Sequence, residues 1–376
     1  MINSLYIKNY RNLNELKINS LGRLNLITGK NNTGKSTLLE AIAIYATKGD
    51  FNQIYQLLIE RGEYFKRADE TKNPTESNLK VLSSLFSDRL INFQQENSIS
   101  IGHIENTLFG EDQSLENTVF IRFVKYIEDV IRENEVITSR KRTILENDSE
   151  NQNANIKIGL QVKSSKNSYI ISLDEDRPLR YIFRGLGIND SIQFIRTRNI
   201  DREINVKLWD NITLTEKEQY VIDALKIIEP TTERIAFIEE NRKERTAVIK
   251  LSTATNIIPL QSMGDGMNRI LTIILALVNA DNGFLLIDEF ENGLHYSVQE
   301  QLWKIIFNLA EKLNVQVFIT THSEDCIAGF ENIVNSPDNK LEGKLIRLDN
   351  INGIIRQVEF GASDLKIATD NNIEIR

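Results

Sequence analysis

The sequence contains few of the residues that mark secreted, disulfide-linked or zinc-binding proteins. Its one cysteine, Cys326, excludes a disulfide within the chain and is typical of a protein of the reducing cytosol. Three histidines lie far apart, without the spacing of a zinc site. No apolar run approaches the length of a membrane span, and the first residues lack the basic and apolar regions of a secretory signal. We therefore expect a cytoplasmic protein with no membrane association.

The sequence also has few prolines, and its net charge is negative. Five prolines among 376 residues argue against long linkers, while 41% hydrophobic and 26% charged residues are typical of a globular chain with a sizeable core. The net charge of −8 argues against strong non-specific binding to nucleic acid. Basic clusters at 139–142, 196–198 and 242–245 leave a local nucleic-acid contact open.

Residues 29–37 read Gly-Lys-Asn-Asn-Thr-Gly-Lys-Ser-Thr, which is the form G-x-x-x-x-G-K-[ST] of a phosphate-binding loop. An apolar run precedes them and an apolar-periodic run follows, so the strand–loop–helix context of the motif is present. The glycines let successive backbone N–H groups point at a polyphosphate. Lys35 would bridge the β- and γ-phosphates as a catalytic residue, and the Ser36 hydroxyl would ligate Mg²⁺. The residues expected to contact the phosphates are Asn31, Asn32, Thr33, Gly34, Lys35, Ser36 and Thr37. The motif predicts that the chain binds a nucleoside triphosphate.

Two further apolar runs end in polar residues that suit the same chemistry. Asp288 and Glu289 follow the run at 283–287, where a carboxylate needs a positive partner such as the Mg²⁺ of a nucleotide. Asp288 would hold that metal through water, and Glu289 would act as the catalytic base on the attacking water. His322 follows the run at 315–320, and we expect it to reach the γ-phosphate as a third catalytic residue.

A second glycine-containing segment lies between Lys35 and Asp288. Ser262, Gly264 and Gly266 come directly before an apolar helix predicted for 267–278, which makes a second anion-binding helix N-terminus. Because the first loop already holds the phosphates of its own subunit, we expect this segment to meet the γ-phosphate bound by another subunit.

Strands alternate with helices at both ends of the chain, which predicts an α/β fold with a largely parallel sheet. Residues 156–158, 169–173 and 181–183 alternate with period two and predict a small antiparallel sheet. Helical spacing at 79–86 and 115–131 predicts a mainly helical insertion at 49–155. The chain would then be a single domain, 1–376, whose head comprises 1–48 and 156–376.

Together these segments resemble the motifs of ABC-type ATPases, in the branch of the RecF/SMC/Rad50-like and OLD proteins. The Walker A, signature, Walker B, D-loop and H-loop motifs would be residues 29–37, 262–266, 286–289, 291–295 and 320–323. The resemblance implies a P-loop NTPase fold: an ABC-ATPase head with a mixed β-sheet core, an antiparallel β subdomain and a helical insertion. It also implies a head-to-tail homodimer that encloses ATP and Mg²⁺, with Ser262 and Gly264 of one subunit facing Lys35 of the other. A higher oligomer stays open.

The sequence departs from the family pattern in places. The signature lacks the Leu-Ser-Gly-Gly-Gln form of membrane transporters, and no clear Gln-loop is present. Gln193 is a candidate for that loop, with an ordinary strand residue as the alternative. Tyr10 or Arg11 would contact adenine, unless both belong to a packed hairpin tip. No Asn-Lys-x-Asp motif is present, so we do not expect a GTPase.

Residues 194–198 and 208–210 resemble stand-alone ATPases of bacterial defence operons. The resemblance implies a slow ATPase that controls a separately encoded effector in prokaryotic anti-phage defence. Too few residues follow His322 for the TOPRIM nuclease domain of OLD proteins, so a TOPRIM-type nuclease would be such a partner. Two alternatives stay open: a RecF/Rad50-like DNA-repair ATPase that binds DNA directly, and an ATP-bound scaffold or sensor without turnover.

Overall fold

The computed structural model describes residues 1–63, 73–104, 117–133, 136–145, 155–165, 167–174, 192–196, 202–240, 244–337, 341–371 and 374–375. In chain order the strands are β1 (Leu5–Tyr10), β2 (Leu13–Ile18), β3 (Leu24–Thr28), β4 (Ile99–Gly102), β5 (Thr118–Glu133), β6 (Val136–Ile144), β7 (Lys157–Lys163), β8 (Ser168–Ser172), β9 (Ile192–Ile195), β10 (Thr232–Glu240), β11 (Glu244–Leu251), β12 (Ile258–Pro259), β13 (Phe284–Ile287), β14 (Gln316–Thr320), β15 (Gly343–Ile351) and β16 (Ile354–Phe360). The helices are α1 (Lys35–Ala46), α2 (Phe51–Glu60), α3 (Pro74–Ser83), α4 (Arg202–Asp210), α5 (Glu216–Ile228), α6 (Asp265–Asn279), α7 (Tyr296–Lys312), α8 (Glu324–Val334) and α9 (Ala362–Asp370).

A six-stranded sheet with the order β16-β15-β3-β14-β13-β9 forms the centre of the molecule. Its strands are parallel except for the β15–β16 hairpin, which confirms the predicted α/β fold with a largely parallel sheet. Ile287 lies opposite Ile319, and Thr320 lies opposite Ile27. Because β3, β13 and β14 run in one direction and in this register, the loops that follow them emerge side by side at one edge of the sheet.

A second, antiparallel sheet has the order β2-β1-β4-β5-β7-β8, with β6 paired to β5. Helix α1 packs between this sheet and the central one, in a core that joins Leu38 and Ile42 to Ile7, Ile121 and Phe318. Most of α1 is therefore buried, including both faces of the helix. On the other side of the central sheet, α4 to α8 form a second core with β13 and β14.

The prediction of a helix at 115–131 is wrong, because β5 occupies 118–133. Val119 and Phe123 fit a helical spacing, but a separation of four residues also keeps two side chains on one face of a strand. Ile121 lies between them on that buried face, while Val124 and Tyr126 are buried on the other. The predicted insertion is thus not mainly helical, since β5 and β6 lie within it.

The division of the chain at 48 and 155 stays a prediction, although the antiparallel sheet takes strands from both sides of each boundary. Strands β7 and β8 pair as expected. The third strand predicted there, 181–183, lies outside the described residues. The described part of the chain has no helix long and apolar enough to cross a membrane.

Candidate functional site

The loop after β3 has the backbone of a phosphate-binding loop. Gly29 has a φ of +138° and Gly34 a φ of +89°, which are conformations that favour glycine. A Cβ on Gly29 would lie 2.3 Å from the carbonyl oxygen of Leu348, so no other residue fits there. Helix α1 begins at Lys35, directly after Gly34. The N-terminus of α1 therefore lies in this loop and faces an anion bound there, as an anion-binding site requires.

Lys35 lies inside the loop rather than in solvent. Its side chain is buried, and its Nζ donates hydrogen bonds to the carbonyl oxygens of Gly29 (2.7 Å) and Lys30 (2.9 Å). Burial lowers the pKa of Lys35 to about 8, although the nearby carboxylates of Asp288 and Glu289 act in the opposite direction. A polyphosphate would supply the negative charge that this ammonium group needs.

The Ser36 hydroxyl donates a hydrogen bond of 3.1 Å to Asp288 Oδ1, so the two predicted metal-binding residues are brought together. A hydroxyl oxygen and a carboxylate are the hard oxygen ligands that Mg²⁺ prefers, and the pair fits that ion. Among the described residues, no group of three or more His, Cys, Asp or Glu side chains could hold a metal by itself. A Mg²⁺ ion here would take its remaining ligands from the nucleotide phosphates and from water.

Glu289 has a left-handed backbone conformation, with a φ of +51°. Such a conformation costs a non-glycine residue about 1–3 kcal/mol and persists only where the surroundings enforce it. The Glu289 N–H donates to Thr320 Oγ1 (2.8 Å), and its carbonyl oxygen accepts a hydrogen bond from Arg269 (3.3 Å). These bonds hold the predicted catalytic base in place.

A cavity of about 1110 Å³ contains these residues. Binding sites for small ligands typically enclose about 300–1,000 Å³, so the cavity has room for a nucleoside triphosphate. Its lining includes the whole 31–37 segment, Asp288, Glu289 and His322. The side chains on the remaining wall include Arg11, Asn14, Arg61, Glu63, Asp88 and Arg89. The structure therefore brings every predicted catalytic and metal-binding residue to one cavity.

Arg11 belongs to an ionic cluster in the wall of this cavity. Its guanidinium lies 3.0 Å from the buried carboxylate of Glu40 and 2.7 Å from that of Glu63, while Arg61 lies 2.7 Å from Glu40. Arg11 Nη2 is buried and has no hydrogen-bond partner within the described residues, while other atoms of Arg11 line the cavity. Tyr10 is fully buried, with its hydroxyl bonded to Glu40 (3.2 Å). Of the two, only Arg11 is placed to contact a nucleotide, and that role stays a prediction.

The signature segment does not reach this cavity within one subunit. Ser262 lies in a 3₁₀ turn (Leu260–Met263), and Gly264, with a φ of +96°, precedes α6. Ser262 and Gly264 are exposed and are not among the residues that line the cavity. Gly266 instead lies against the D-loop, where an added Cβ would be 3.0 Å from the Gly293 carbonyl oxygen. Gln193 lies within β9, opposite Leu285, and not in the cavity lining either.

Comparison with known proteins identifies the family. A model of the AAA ATPase domain family matches residues 1–327. The chain belongs to this family. An ATP/GTP phosphatase of Helicobacter pylori is 26% identical over 368 residues, which cover 93% of this chain and 92% of that protein. The uncharacterized protein MJECL10 of Methanocaldococcus jannaschii is 41% identical over 73 residues, 18% of this chain and 33% of that protein.

Solved structures of SMC heads are similar in outline. An SMC head bound to the C-winged helix domain of ScpA has a TM-score of 0.49 and 13% identity, over 96% of this chain and 98% of that chain. The SMC head domain from Thermotoga maritima has a TM-score of 0.45 and 12% identity, over 96% and 99%. These likenesses are too distant to carry a conclusion about function. Family and site agree that this chain is a P-loop ATPase domain of the α/β class.

Two residues that hold parts of this site in place were not predicted from the sequence. Arg269 is buried in α6 and donates to the backbone carbonyl oxygens of Arg196 (3.2 Å), Asp288 (3.2 Å) and Glu289 (3.3 Å). It ties the helix that follows the signature segment to both acidic residues. The signal available in the sequence was an arginine within an apolar helix, since a buried guanidinium needs acceptors.

Glu291 is the second such residue. Its carboxylate accepts hydrogen bonds from the Thr321 hydroxyl (2.7 Å) and from the His322 backbone N–H (2.7 Å). Glu291 lies in the segment that resembles a D-loop, and its sequence context predicts no role for its side chain. The structure shows that it holds the loop that carries His322.

We expect Glu291→Ala to lower kcat about 10-fold or more, because it frees the His322 loop and small displacements of catalytic groups are costly. It should also destabilise the fold by about 1–3 kcal/mol, since the buried Thr321 hydroxyl and the His322 N–H lose their acceptor. Steady-state ATP hydrolysis and urea unfolding measure the two effects. Glu291→Gln keeps an acceptor for the His322 N–H and should retain most of the activity. Equal loss in both variants would contradict the hydrogen-bonding role.

Proposed function

We propose that this chain is a Mg²⁺-dependent, ATP-hydrolysing ABC-type ATPase that works as a head-to-tail homodimer. The observation that carries the proposal is the shared cavity of Lys35, Ser36, Asp288, Glu289 and His322. Three segments far apart in the sequence meet at this cavity, and they carry the candidate phosphate ligand, metal-binding pair, base and charge-stabilising histidine. The name of the Helicobacter pylori relative, ATP/GTP phosphatase, supports hydrolysis of a nucleoside triphosphate.

Each residue has a role that follows from its place. The Lys35 ammonium leaves its two carbonyl acceptors for the β- and γ-phosphates, which are stronger acceptors because they are charged. Ser36 and Asp288 would hold Mg²⁺, which when bound neutralises charge on the phosphate oxygens. Glu289 orients the attacking water and takes its proton. His322 donates to the oxygens on which charge develops during transfer.

A second copy of the chain would complete the site. The N-terminus of α6 presents Ser262 and Gly264 to solvent, and a Cβ on Gly264 would meet nothing within 4 Å. A helix N-terminus of this kind can bind a phosphate group. Ser262 and Gly264 do not, however, line the cavity that contains the phosphate loop of the same subunit. In a twofold dimer this segment would lie over the partner's phosphate loop, where Gly264 would let the backbone come close to the phosphates.

Mixing two inactive variants tests this arrangement. We expect Lys35→Ala and Ser262→Arg each to be inactive alone, because each breaks both sites of its homodimer. A dimer of one copy of each variant contains one intact site, so activity should recover in the mixture, to about a quarter of the wild-type value if the copies pair at random. The measurement is ATP turnover after the variants are mixed.

The control is Ser252→Arg, since Ser252 is also exposed but lies at the end of β11. This variant should be active by itself. No recovery in the mixture, with both variants folded, would mean that Ser262 acts on its own subunit or not at all.

We further propose that the dimer is cytoplasmic and controls a separately encoded effector, such as a TOPRIM-type nuclease, in anti-phage defence. This role rests on the family resemblance alone. Purified protein should hydrolyse ATP slowly and change its rate when the product of a neighbouring gene is added. A steep salt dependence of duplex DNA binding would favour the DNA-repair alternative instead. ATP binding without turnover under every condition would favour the scaffold alternative.

A further inference from the structure

The hydroxyl of Thr320 lies between the two acidic residues of the site. Thr320 is the last residue of β14 and is fully buried. Its Oγ1 donates a hydrogen bond of 2.6 Å to Asp288 Oδ1 and accepts one of 2.8 Å from the Glu289 backbone N–H. One side chain thereby contacts both the expected metal-binding carboxylate and the backbone of the expected base.

Both hydrogen bonds of the Thr320 hydroxyl cross from β14 to the loop that follows the neighbouring strand β13. A buried threonine hydroxyl often bonds to a nearby carbonyl of its own segment, as that of Thr272 does to Asn268 in α6 (2.9 Å). The Thr320 hydroxyl instead bonds to the loop after β13.

The bond from Thr320 to Asp288 can persist when the site holds a nucleotide and a metal ion. Asp288 Oδ1 accepts hydrogen bonds from Ser36 and Thr320. A hydroxyl has one donor hydrogen and two lone pairs, so Ser36 can keep this bond while its oxygen binds a metal ion. Thr320 adds a second donor to the same carboxylate oxygen from a fully buried position. A length of 2.6 Å is typical of a strong hydroxyl–carboxylate bond. Thr320 would then set the direction of the carboxylate.

The bond to Glu289 acts on the backbone. Glu289 has a φ of +51°, a conformation that needs support from its surroundings. Because its N–H is held by Thr320, the peptide between Asp288 and Glu289 has one orientation. The Glu289 side chain therefore starts from a defined position.

We propose that Thr320 is a positioning residue that aligns Asp288 and Glu289 for Mg²⁺-dependent ATP hydrolysis. The proposal rests on the proposed function and adds a residue to its machinery. Thr320 is fully buried and is not among the residues that line the cavity, so it acts through Asp288 and Glu289, which do line it.

Thr320→Val tests the proposal, because valine keeps the shape of threonine and removes the hydroxyl. In the full chain we expect kcat to fall about 10-fold or more and the half-saturating Mg²⁺ concentration to rise by a similar factor, as outer-shell partners of metal ligands typically show. Binding of ATP in EDTA should stay within about 2-fold of wild type, since Lys35 and the loop are intact. Thr320→Ser restores the hydroxyl and should restore both kcat and the Mg²⁺ dependence.

Thr272→Val is the matched control, since it also removes a buried threonine hydroxyl but lies away from the acidic pair. Its Mg²⁺ dependence should equal that of wild type. If Thr320→Val does not fold, Thr320→Ala replaces it with the same expectation. An active wild type together with an unchanged kcat and Mg²⁺ dependence in the folded variant overturns the role of Thr320 alone. A wild type without Mg²⁺-dependent hydrolysis overturns the proposed function, and this inference with it.

Discussion

Replacement of Lys35 by alanine is expected to abolish ATP hydrolysis and to weaken ATP binding about 100-fold or more. The ammonium group is the buried cation of the phosphate loop, and hydrogen bonds to charged groups contribute about 1.5–3 kcal/mol each. Loss of two such bonds to the phosphates therefore removes at least about 3 kcal/mol, or two orders of magnitude in affinity. Calorimetric titration with ATP and Mg²⁺ measures the loss of binding, and phosphate release measures the loss of hydrolysis.

The control for this prediction lies in the same loop. Lys30 is exposed, and Lys30→Ala removes the same charge without emptying the centre of the loop. That variant should bind ATP within a few-fold of wild type. Thermal unfolding should show that both variants fold. Normal turnover in Lys35→Ala would refute the assignment of residues 29–37 as the phosphate-binding loop.

Glu289→Gln is expected to bind ATP and to hydrolyse it about 10²–10⁴-fold more slowly, because the general base is lost while the binding groups remain. Since ATP then persists in both sites, the protein should accumulate as a closed dimer. Light scattering after gel filtration with ATP and Mg²⁺ measures the mass, and single-turnover assays measure the chemical step.

Two further variants make this result specific. Glu300→Gln removes a carboxylate from the exposed face of α7 and should hydrolyse ATP at the wild-type rate. The double variant Lys35→Ala, Glu289→Gln cannot hold ATP and should stay monomeric. Parental turnover in Glu289→Gln would show that Glu289 is not the base. A dimer that forms equally without ATP would show that closure does not depend on the nucleotide.

Much of the site could be predicted because its parts are local or follow a simple rule. The phosphate-binding loop, the strand before it and the helix after it are contiguous, so their pattern predicts their geometry. The meeting of Ser36 with Asp288 follows from the rule that parallel strands end at the same edge of a sheet. Neither inference requires knowledge of any other contact in the molecule.

The antiparallel sheet was harder to predict, because β5 is apolar on both faces. Its separation of four residues between Val119 and Phe123 is shared by a helix face and a strand face, so the pattern does not distinguish them. Pairing with β4 and β7 decides the matter, since each partner satisfies the backbone of β5. These partner strands lie outside the short stretch of sequence over which hydrophobic periodicity is measured.

The sequence alone determined which residues are expected to carry the chemistry: the 29–37 loop, the acidic pair after β13 and the histidine after β14. Only the tertiary structure decided what holds them, namely Arg269, Glu291 and Thr320. The physical reason is that these side chains act through hydrogen bonds of about 3 Å across separate strands and helices. Such bonds depend on strand register and helix packing, which arise from the whole core and from no single stretch of the chain.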